Sequence, residues 1–448
     1  FSFQVSRRQL ENLIKELYYY LTYSVWQSFK YTNKLYLLYL LGESAAFADV
    51  DNANDWRRTE LQKLTEQMQQ RIDALQNPDN CSKARKLTCN LNKGCGFGCQ
   101  IHHVTYCFII AYGTNRTMLL DNDGKHWSYS KRGWDATFLP ISKCSYDKDI
   151  PEKSRIPRWS GFNESKDHAV VSLPIIDFLN SRPNFLPLAF PEEFAPDLLK
   201  LHSFPPVFFI SQFMRYLMRF TEGMKKKIDE AVKFIGPIVG IQIRRTDKVG
   251  SEAAFHALDE YVKWAEVWFR IQEKRQKKSL TRRIFIASDD PTVFSEAREH
   301  YPEYTVYGDE SIAKSAQLGS RYSEQSLIGV IVDIELLSRC SYLVCTFSSQ
   351  ICRMGYELMQ IRVGDGGNLF HSLDDVYYYG GQQAHEQVAV EKYKAETEQE
   401  IDLEIGDVIT LAGNHWNGFS KGVNRRTGKV GLYPSYLVRE KWITVQFP

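Results

Sequence analysis

Between Ile238 and Glu252 an apolar, β-branched run, Ile-Val-Gly-Ile-Gln-Ile, breaks abruptly into Arg-Arg-Thr-Asp-Lys-Val-Gly-Ser-Glu. Such a run fits a strand buried in a parallel sheet, and few other elements. Ligands of open α/β sheets bind outside the carboxyl ends of the strands. Two arginines at such an end suit a diphosphate, because a guanidinium presents a planar fork of donors that matches phosphate oxygens. A solvated, salt-bridged loop is the plainer alternative.

Further along the chain the pattern repeats. A helical stretch over Leu258–Lys274, an apolar strand Ile284–Ala287, a helix after Pro291 and a strand Tyr342–Thr346 alternate as βαβ units do. This predicts an α/β fold with a Rossmann-type doubly wound parallel sheet. No G-x-G-x-x-G follows any strand, which argues against a nicotinamide enzyme. The second strand ends on Asp289 and Asp290, acids that can accept from ribose hydroxyls or a guanine edge, or cap the helix at Pro291. The third ends on Ser348 and Ser349 before a helix, where free backbone donors seat anions, although both serines can equally serve as caps. Three polar strand ends on one sheet edge describe a nucleotide-diphosphate pocket.

The 448 residues allow several domains, and we divide them at 1–80, 81–233, 234–385 and 386–448. In the first, Leu61, Leu64, Met68, Ile72 and Leu75 recur at three and four residues until Pro78, and Leu10, Ile14, Leu17 and Leu21 form a similar stripe. Two such helices predict a coiled-coil stem that dimerises, or else packing on their own globular body. In the second, Thr105–Tyr112 reads as a buried strand and Val207–Phe220 as an amphipathic helix. A net charge of +2 gives no ground for a nucleic-acid surface. Apolar runs such as Leu35–Leu41 are too short to span a bilayer. No signal peptide opens the chain, and the expectation is that a membrane anchor precedes Phe1.

Six of the nine cysteines, Cys81, Cys89, Cys95, Cys99, Cys107 and Cys144, fall in one stretch. Zinc sites usually pair two short Cys motifs across a longer gap. The spacings here, of eight, six, four and eight up to Cys107, fit nested disulfide loops better. Cys345 and Cys352 can close a loop of their own, which leaves Cys340 as the odd thiol. Sequons at Asn115-Arg-Thr and Asn163-Glu-Ser agree with a lumenal or secreted, disulfide-bonded protein. The D-x-D triplets at Asp49–Asp51, Asp121–Asp123 and Asp147–Asp149 follow no strong buried strand and read as loops rather than metal sites.

The final stretch is a separate all-β unit. Glu400-Ile-Asp-Leu-Glu-Ile-Gly-Asp-Val-Ile, His415-Trp416, Gly422 and Gly431-Leu-Tyr-Pro-Ser-Tyr-Leu-Val resemble a Src-homology-3 (SH3) barrel. Its opening is reduced to Val-Glu-Lys-Tyr-Lys from Val390, which puts ordinary proline-rich peptide binding in doubt.

The strings RRTDKVGSEAAFH, FIASDDP, LVCTFSSQICR and FHSLDDVYYYGGQQAH, with the six-cysteine run and the terminal barrel, resemble eukaryotic α1,6-fucosyltransferases. That resemblance implies a GT-B-like, inverting, metal-independent enzyme that needs no cofactor and moves L-fucose from GDP-β-L-fucose to core GlcNAc of N-glycoproteins. It implies residence in the Golgi lumen as a type II membrane protein, and a homodimer through the N-terminal helices. Arg244 resembles the arginine that grips the diphosphate, with Arg245 and Asp247 beside it. Tyr129 resembles a donor-contacting tyrosine, Asp333 a guanine-recognising carboxylate and Ser349 a phosphate-binding hydroxyl. The family's histidine two residues before the key arginine is Gln242 here, so any contact at that point is made by an amide.

Glu252 is the candidate general base and Lys248 its modulator, where the plain alternative for Glu252 is a first-turn acid of the next helix. Acceptor contacts implied by the resemblance are Lys93, Asp177, Gln350, Asp374, Asp375, Tyr378, Gln382 and His415. The implied disulfides pair Cys81 with Cys144, Cys89 with Cys107 and Cys95 with Cys99. Two other readings compete: a fucosyltransferase for another acceptor, such as a chito-oligosaccharide or a protein hydroxyl, and a lumenal scaffold or lectin without chemistry.

Overall fold

In the computed structural model of the chain, the run that ends at Ile243 is the central strand of a five-stranded parallel sheet. Described residues are 2–23, 31–49, 53–150, 152–179, 182–246, 254–317, 319–380 and 386–447.

Three helices open the fold: α1 (Ser2–Tyr23), α2 (Tyr31–Ala46) and α3 (Ala53–Gln76). The aromatic-rich stretch after α1 thus contains a helix of its own, one more than the two apolar stripes predict. Leu61, Met68 and Ile72 of α3 are almost fully buried in the main core of the same chain, so this stripe is not a coiled-coil seam open to a second helix. Leu10, Leu13 and Leu17 of α1 stay exposed, while Tyr18 and Tyr19 of the same helix set their rings edge-on to Trp264.

A second region contains β1 (Lys86–Cys89), α4 (Phe97–Tyr112), β2 (Thr117–Leu120), α5 (Tyr146–Asp149), α6 (Phe162–Ser165) and β3 (Val170–Leu173). It continues with β4 (Ala189–Pro191), α7 (Ala195–Leu201), α8 (Pro205–Leu217) and α9 (Glu222–Ala231). Parallel strands in the order β2-β1-β3 form a small sheet, and α3 packs on α7 and α8. The expected strand Thr105–Tyr112 is the second half of α4 instead. Every residue from Phe97 to Ala111 except Cys99 is buried, so the helix is enclosed around almost its whole circumference. Such a helix loses the 3.6-residue alternation by which helices are told from buried strands.

Disulfides Cys81–Cys144, Cys89–Cys107, Cys95–Cys99 and Cys345–Cys352 are formed, and Cys340 is free and buried. On α4, His103 lies 3.8 Å from Cys89 Sγ and 3.7 Å from Cys107 Sγ. Burial first, and then the charge of Lys93, hold its pKa down to about 4, against an opposing pull from Asp177. The unfolded chain therefore takes up this proton first as pH falls, near 6.5, and the contribution of neutral His103 to stability disappears between about 6.5 and 4. The loss amounts to about 3 kcal/mol. Denaturant titrations across that window are expected to show a steeper decline for the native chain than for His103→Leu, and parallel curves would contradict it.

The large sheet comes next in the chain. Its elements are β5 (Val239–Ile243), α10 (Leu258–Gln276), β6 (Arg283–Ser288), α11 (Thr292–His300), β7 (Thr305–Tyr307), α12 (Glu310–Ser315), α13 (Glu324–Ser338), β8 (Tyr342–Cys345), α14 (Gln350–Val363) and β9 (Phe370–Ser372). Strand order is β7-β6-β5-β8-β9, all parallel. Val239, Ile241 and Ile243 face one way, into a cluster with Tyr261, Ala265 and Phe269 of α10. Gly240 and Gln242 face the other way, toward α13. A Cβ at Gly240 would lie 2.8 Å from Leu343 Cδ2 and 2.9 Å from Cys340 Sγ, so glycine is what lets this layer close.

The barrel consists of β10 (Glu386–Ala389), β11 (Val408–Asn414), β12 (Phe419–Asn424), β13 (Val430–Pro434) and β14 (Val438–Glu440), in the order β13-β12-β11-β10-β14. Its chain then returns as β15 (Ile443–Val445), which pairs in parallel with β4. Barrel and α/β body are thereby joined by strand pairing.

Candidate active site

Where β5 ends, the chain turns sharply, and Asp289 at the end of β6 holds that turn. Its carboxylate accepts from the backbone N–H of Arg245 at 2.9 Å and of Thr246 at 3.3 Å, and from the Thr246 hydroxyl. The same group lies 3.3 Å from Arg244 Nε. Asp289 is 3% exposed and is fully engaged by the protein. Asp290 accepts from Thr292 N–H at 2.9 Å and from the Thr292 hydroxyl at 2.7 Å, which makes it the entry cap of α11.

The two arginines separate in role. Arg245 reaches Glu296 through two bonds of 2.5 and 3.2 Å and lies over the Phe255 ring, so its fork is occupied. Arg244 is only partly buried, and its positive charge, with that of Arg321, is felt at the Tyr129 hydroxyl. Tyr129 is itself pushed up to about 12, because burial outweighs those two charges.

A second turn, between β8 and α14, mirrors the first. Asp374 accepts from the N–H of Phe347 at 2.7 Å and of Ser348 at 3.2 Å, and from the Ser372 hydroxyl at 2.9 Å. The Cys345–Cys352 bond spans this turn. Ser349 stands directly before α14 and makes no side-chain cap bond, while its backbone N–H bonds Thr346 O. The Thr346 hydroxyl and the Gln350 Oε1 are buried without partners among the described residues.

The first turn of α4 meets the first turn of α14. A Cβ at Gly98 would lie 2.7 Å from Gln350 Cβ, so two helix N-termini converge here. Helix N-termini, through their dipoles and first-turn N–H donors, favour an anion. Tyr129 accepts from Phe97 N–H at 2.8 Å and packs against Tyr322, whose hydroxyl donates to Cys95 O at 3.2 Å. Behind this junction His102 and Glu357 join the two helices at 3.0 Å.

On the sheet face that carries Gln242, α13 brings Asp333, whose carboxyl is raised well above the usual range by burial, with Asp309 adding to the effect. Gln242 Oε1 is buried and has no partner among the described residues. Asp333 and the unpartnered Gln242 Oε1 therefore lie on one side of the sheet.

The expected acceptor residues divide into two groups. Lys93 ion-pairs with Asp177 at 2.8 Å, on the loop that leads through Cys95 into α4. In the second group, Arg353 donates to Tyr378 O at 3.1 Å and lies over the Tyr378 ring at 4.1 Å. The barrel docks beside these residues, because Trp416 Nε1 donates to Asp374 O at 2.6 Å and a Cβ at Gly413 would lie 3.3 Å from Asp375 Oδ1. That contact carries His415, exposed on the loop after β11, to the same rim. Asp247, Lys248, Glu252 and Gln382 lie outside the described residues. Sequence reading passed over Arg321, Tyr322, Arg353 and the His102–Glu357 pair. Only Arg321-Tyr322, a basic and aromatic pair in a polar loop, left a visible signal.

Residues 1–378 match the α-(1,6)-fucosyltransferase N- and catalytic domain family, and residues 389–439 match a variant SH3 domain. An α-(1,6)-fucosyltransferase of Caenorhabditis elegans is 51% identical over 449 aligned residues, covering 99% of this chain and 80% of that protein. One of Drosophila melanogaster is 45% identical over 412, covering 91% of this chain and 65% of that protein. Among solved structures, the fucosyltransferase NodZ from Bradyrhizobium aligns at 14% identity over 61% of this chain and 93% of its own, with a TM-score of 0.32.

Proposed function

The chain belongs to the α-(1,6)-fucosyltransferase family, and from that premise we propose that it moves L-fucose from GDP-β-L-fucose to the 6-hydroxyl of the innermost, Asn-linked GlcNAc of N-glycans. The observation that carries this reading is the convergence of Arg244, Tyr129 and the first turns of α4 and α14 at the carboxyl edge of the sheet. As the glycosidic bond breaks, positive charge builds on the anomeric carbon and negative charge on the departing GDP. Fixed donors aimed at that leaving group stabilise it without reorganisation. Arg244 grips the diphosphate, the two helix N-termini add backbone donors, and Ser349 supplies a hydroxyl. Asp333 and Gln242 take the base end of the nucleotide.

Attack from the opposite face inverts the anomeric centre in one displacement, and the sugar hydroxyl must lose its proton. Glu252 accepts it, with Lys248 nearby in sequence to tune its basicity. Glu252→Gln is expected to leave GDP affinity intact while kcat falls by at least about 10²-fold. Calorimetry paired with steady-state kinetics checks this, and near-normal turnover assigns the base elsewhere.

We assign acceptor recognition to Lys93, Asp177, Gln350, Asp375, Tyr378, Gln382 and His415. Self-association through the N-terminal helices is supported by the exposed Leu10, Leu13 and Leu17 of α1. Among the described residues no helix is long and apolar enough to cross a membrane, and we assign anchoring in the Golgi lumen to sequence outside them. The decisive experiment incubates the protein with GDP-fucose and a biantennary glycopeptide ending in GlcNAc, in excess chelator. Mass spectrometry is expected to place one deoxyhexose on the innermost GlcNAc. GDP binding without glycopeptide modification would leave the donor pocket and remove the acceptor, and activity that returns only with added divalent metal would remove the arginine-for-metal assignment.

A further inference from the structure

The two sequons are motifs that the transferase reading does not use. Asn115 stands exposed in the turn after α4, at φ +50°. Asn163 is exposed on α6. Both belong to one face. A Cβ at Gly113, two residues before Asn115, would meet the Phe185 ring at 2.6 Å. Phe162, the neighbour of Asn163, sets its own ring edge-on to Phe185 at 6.1 Å and is 44% exposed. The length of α4 separates this face from the pocket, about 24 Å at 1.5 Å per residue. Four disulfides place the maturation of the chain where thiols oxidise, the setting in which sequons meet the glycosylation machinery.

We propose that Asn115 carries an N-linked glycan and that the face around Phe162 and Phe185 is sugar-covered. Asparagine is among the few side chains that tolerate left-handed backbone, so this exposed turn presents an amide without strain. In the transfer, the Asn115 amide nitrogen bonds to C1 of the first GlcNAc of a lipid-linked oligosaccharide diphosphate. The C1–O bond to phosphate breaks, its electron pair leaves with the lipid diphosphate, and the amide gives up one proton. The Thr117 hydroxyl, which completes the sequon, donates to Leu75 O at 2.8 Å in the folded chain. Attachment therefore precedes the closure of β2 onto α3. The partly exposed Phe162 ring then offers the first sugars an apolar surface.

The test uses the chain secreted from a eukaryotic cell. Enzymatic deglycosylation in heavy-oxygen water is expected to label position 115, as read by peptide mass mapping. Asn115→Gly keeps the left-handed turn and is expected to lose one glycan's mass with kcat/KM unchanged. An unmodified, unlabelled Asn115 in the wild-type peptide overturns the proposal whatever the state of Asn163, and it does so without any variant having to fold.

Discussion

Arg244→Ala is expected to lower kcat/KM by about 10³-fold, the upper end of what one preorganised donor group supplies, with GDP affinity falling alongside. Two features make the effect specific. Arg244 is partly exposed at the junction where Tyr129, α4 and α14 meet, so its charge acts on whatever anion enters there. Its loss also leaves the turn standing, since Asp289 keeps its bonds to Arg245 N–H, Thr246 N–H and the Thr246 hydroxyl. The variant should therefore melt close to wild type. Arg245→Ala makes the control: its side chain is spent on Glu296, so it should lose stability before donor binding. Calorimetry with GDP on both variants separates the roles. An unchanged GDP affinity in Arg244→Ala would falsify the diphosphate assignment.

The sheet was legible because charge and apolarity change abruptly at Ile243 and again at Ser288, and a buried parallel strand can end in few other ways. The pocket was legible at the level of its edge, less so in the work of single residues. Asp289 and Asp374 look like ligand-binding acids in sequence, yet each spends its carboxylate on backbone N–H groups of a strand-to-helix turn. A one-dimensional pattern places an acid at a strand end but does not say which donors are nearer, the ligand's or the chain's own. α4 escaped for a different reason: with almost no solvent-facing side, it carried no period to read. Docking of the barrel through Trp416 and the β15–β4 pairing join residues far apart in sequence, and short, ordinary strands announce no partner.

The joint between α4 and α14 gives the second large effect. His102 Nδ1 is 2.8 Å from Gly98 O, and Nε2 is 3.0 and 3.1 Å from the two oxygens of Glu357. Both imidazole nitrogens thus face oxygens, Gly98 O on one side and the Glu357 carboxyl on the other. Glu357 is fully buried and also accepts the Tyr377 hydroxyl at 2.7 Å, and Tyr379 donates to His102 O at 2.9 Å. Glu357→Ala removes the acceptor from both His102 and Tyr377 where water cannot replace it. Breaking one side of such a buried pair costs about 3–5 kcal/mol. Chemical denaturation should report that loss, with Glu357→Gln in between because its amide oxygen still serves one donor. The consequence should also reach the pocket. Gly98 and Gln350, in van der Waals contact on the first turns of the two helices, are held together by this joint four and seven residues further on. Any Glu357→Ala protein that remains folded should therefore bind GDP more weakly than wild type, while Glu357→Gln recovers part of that affinity. If Glu357→Ala unfolds at the wild-type denaturant concentration, the two helices are held by apolar packing alone, and the polar joint is not what aligns the anion site.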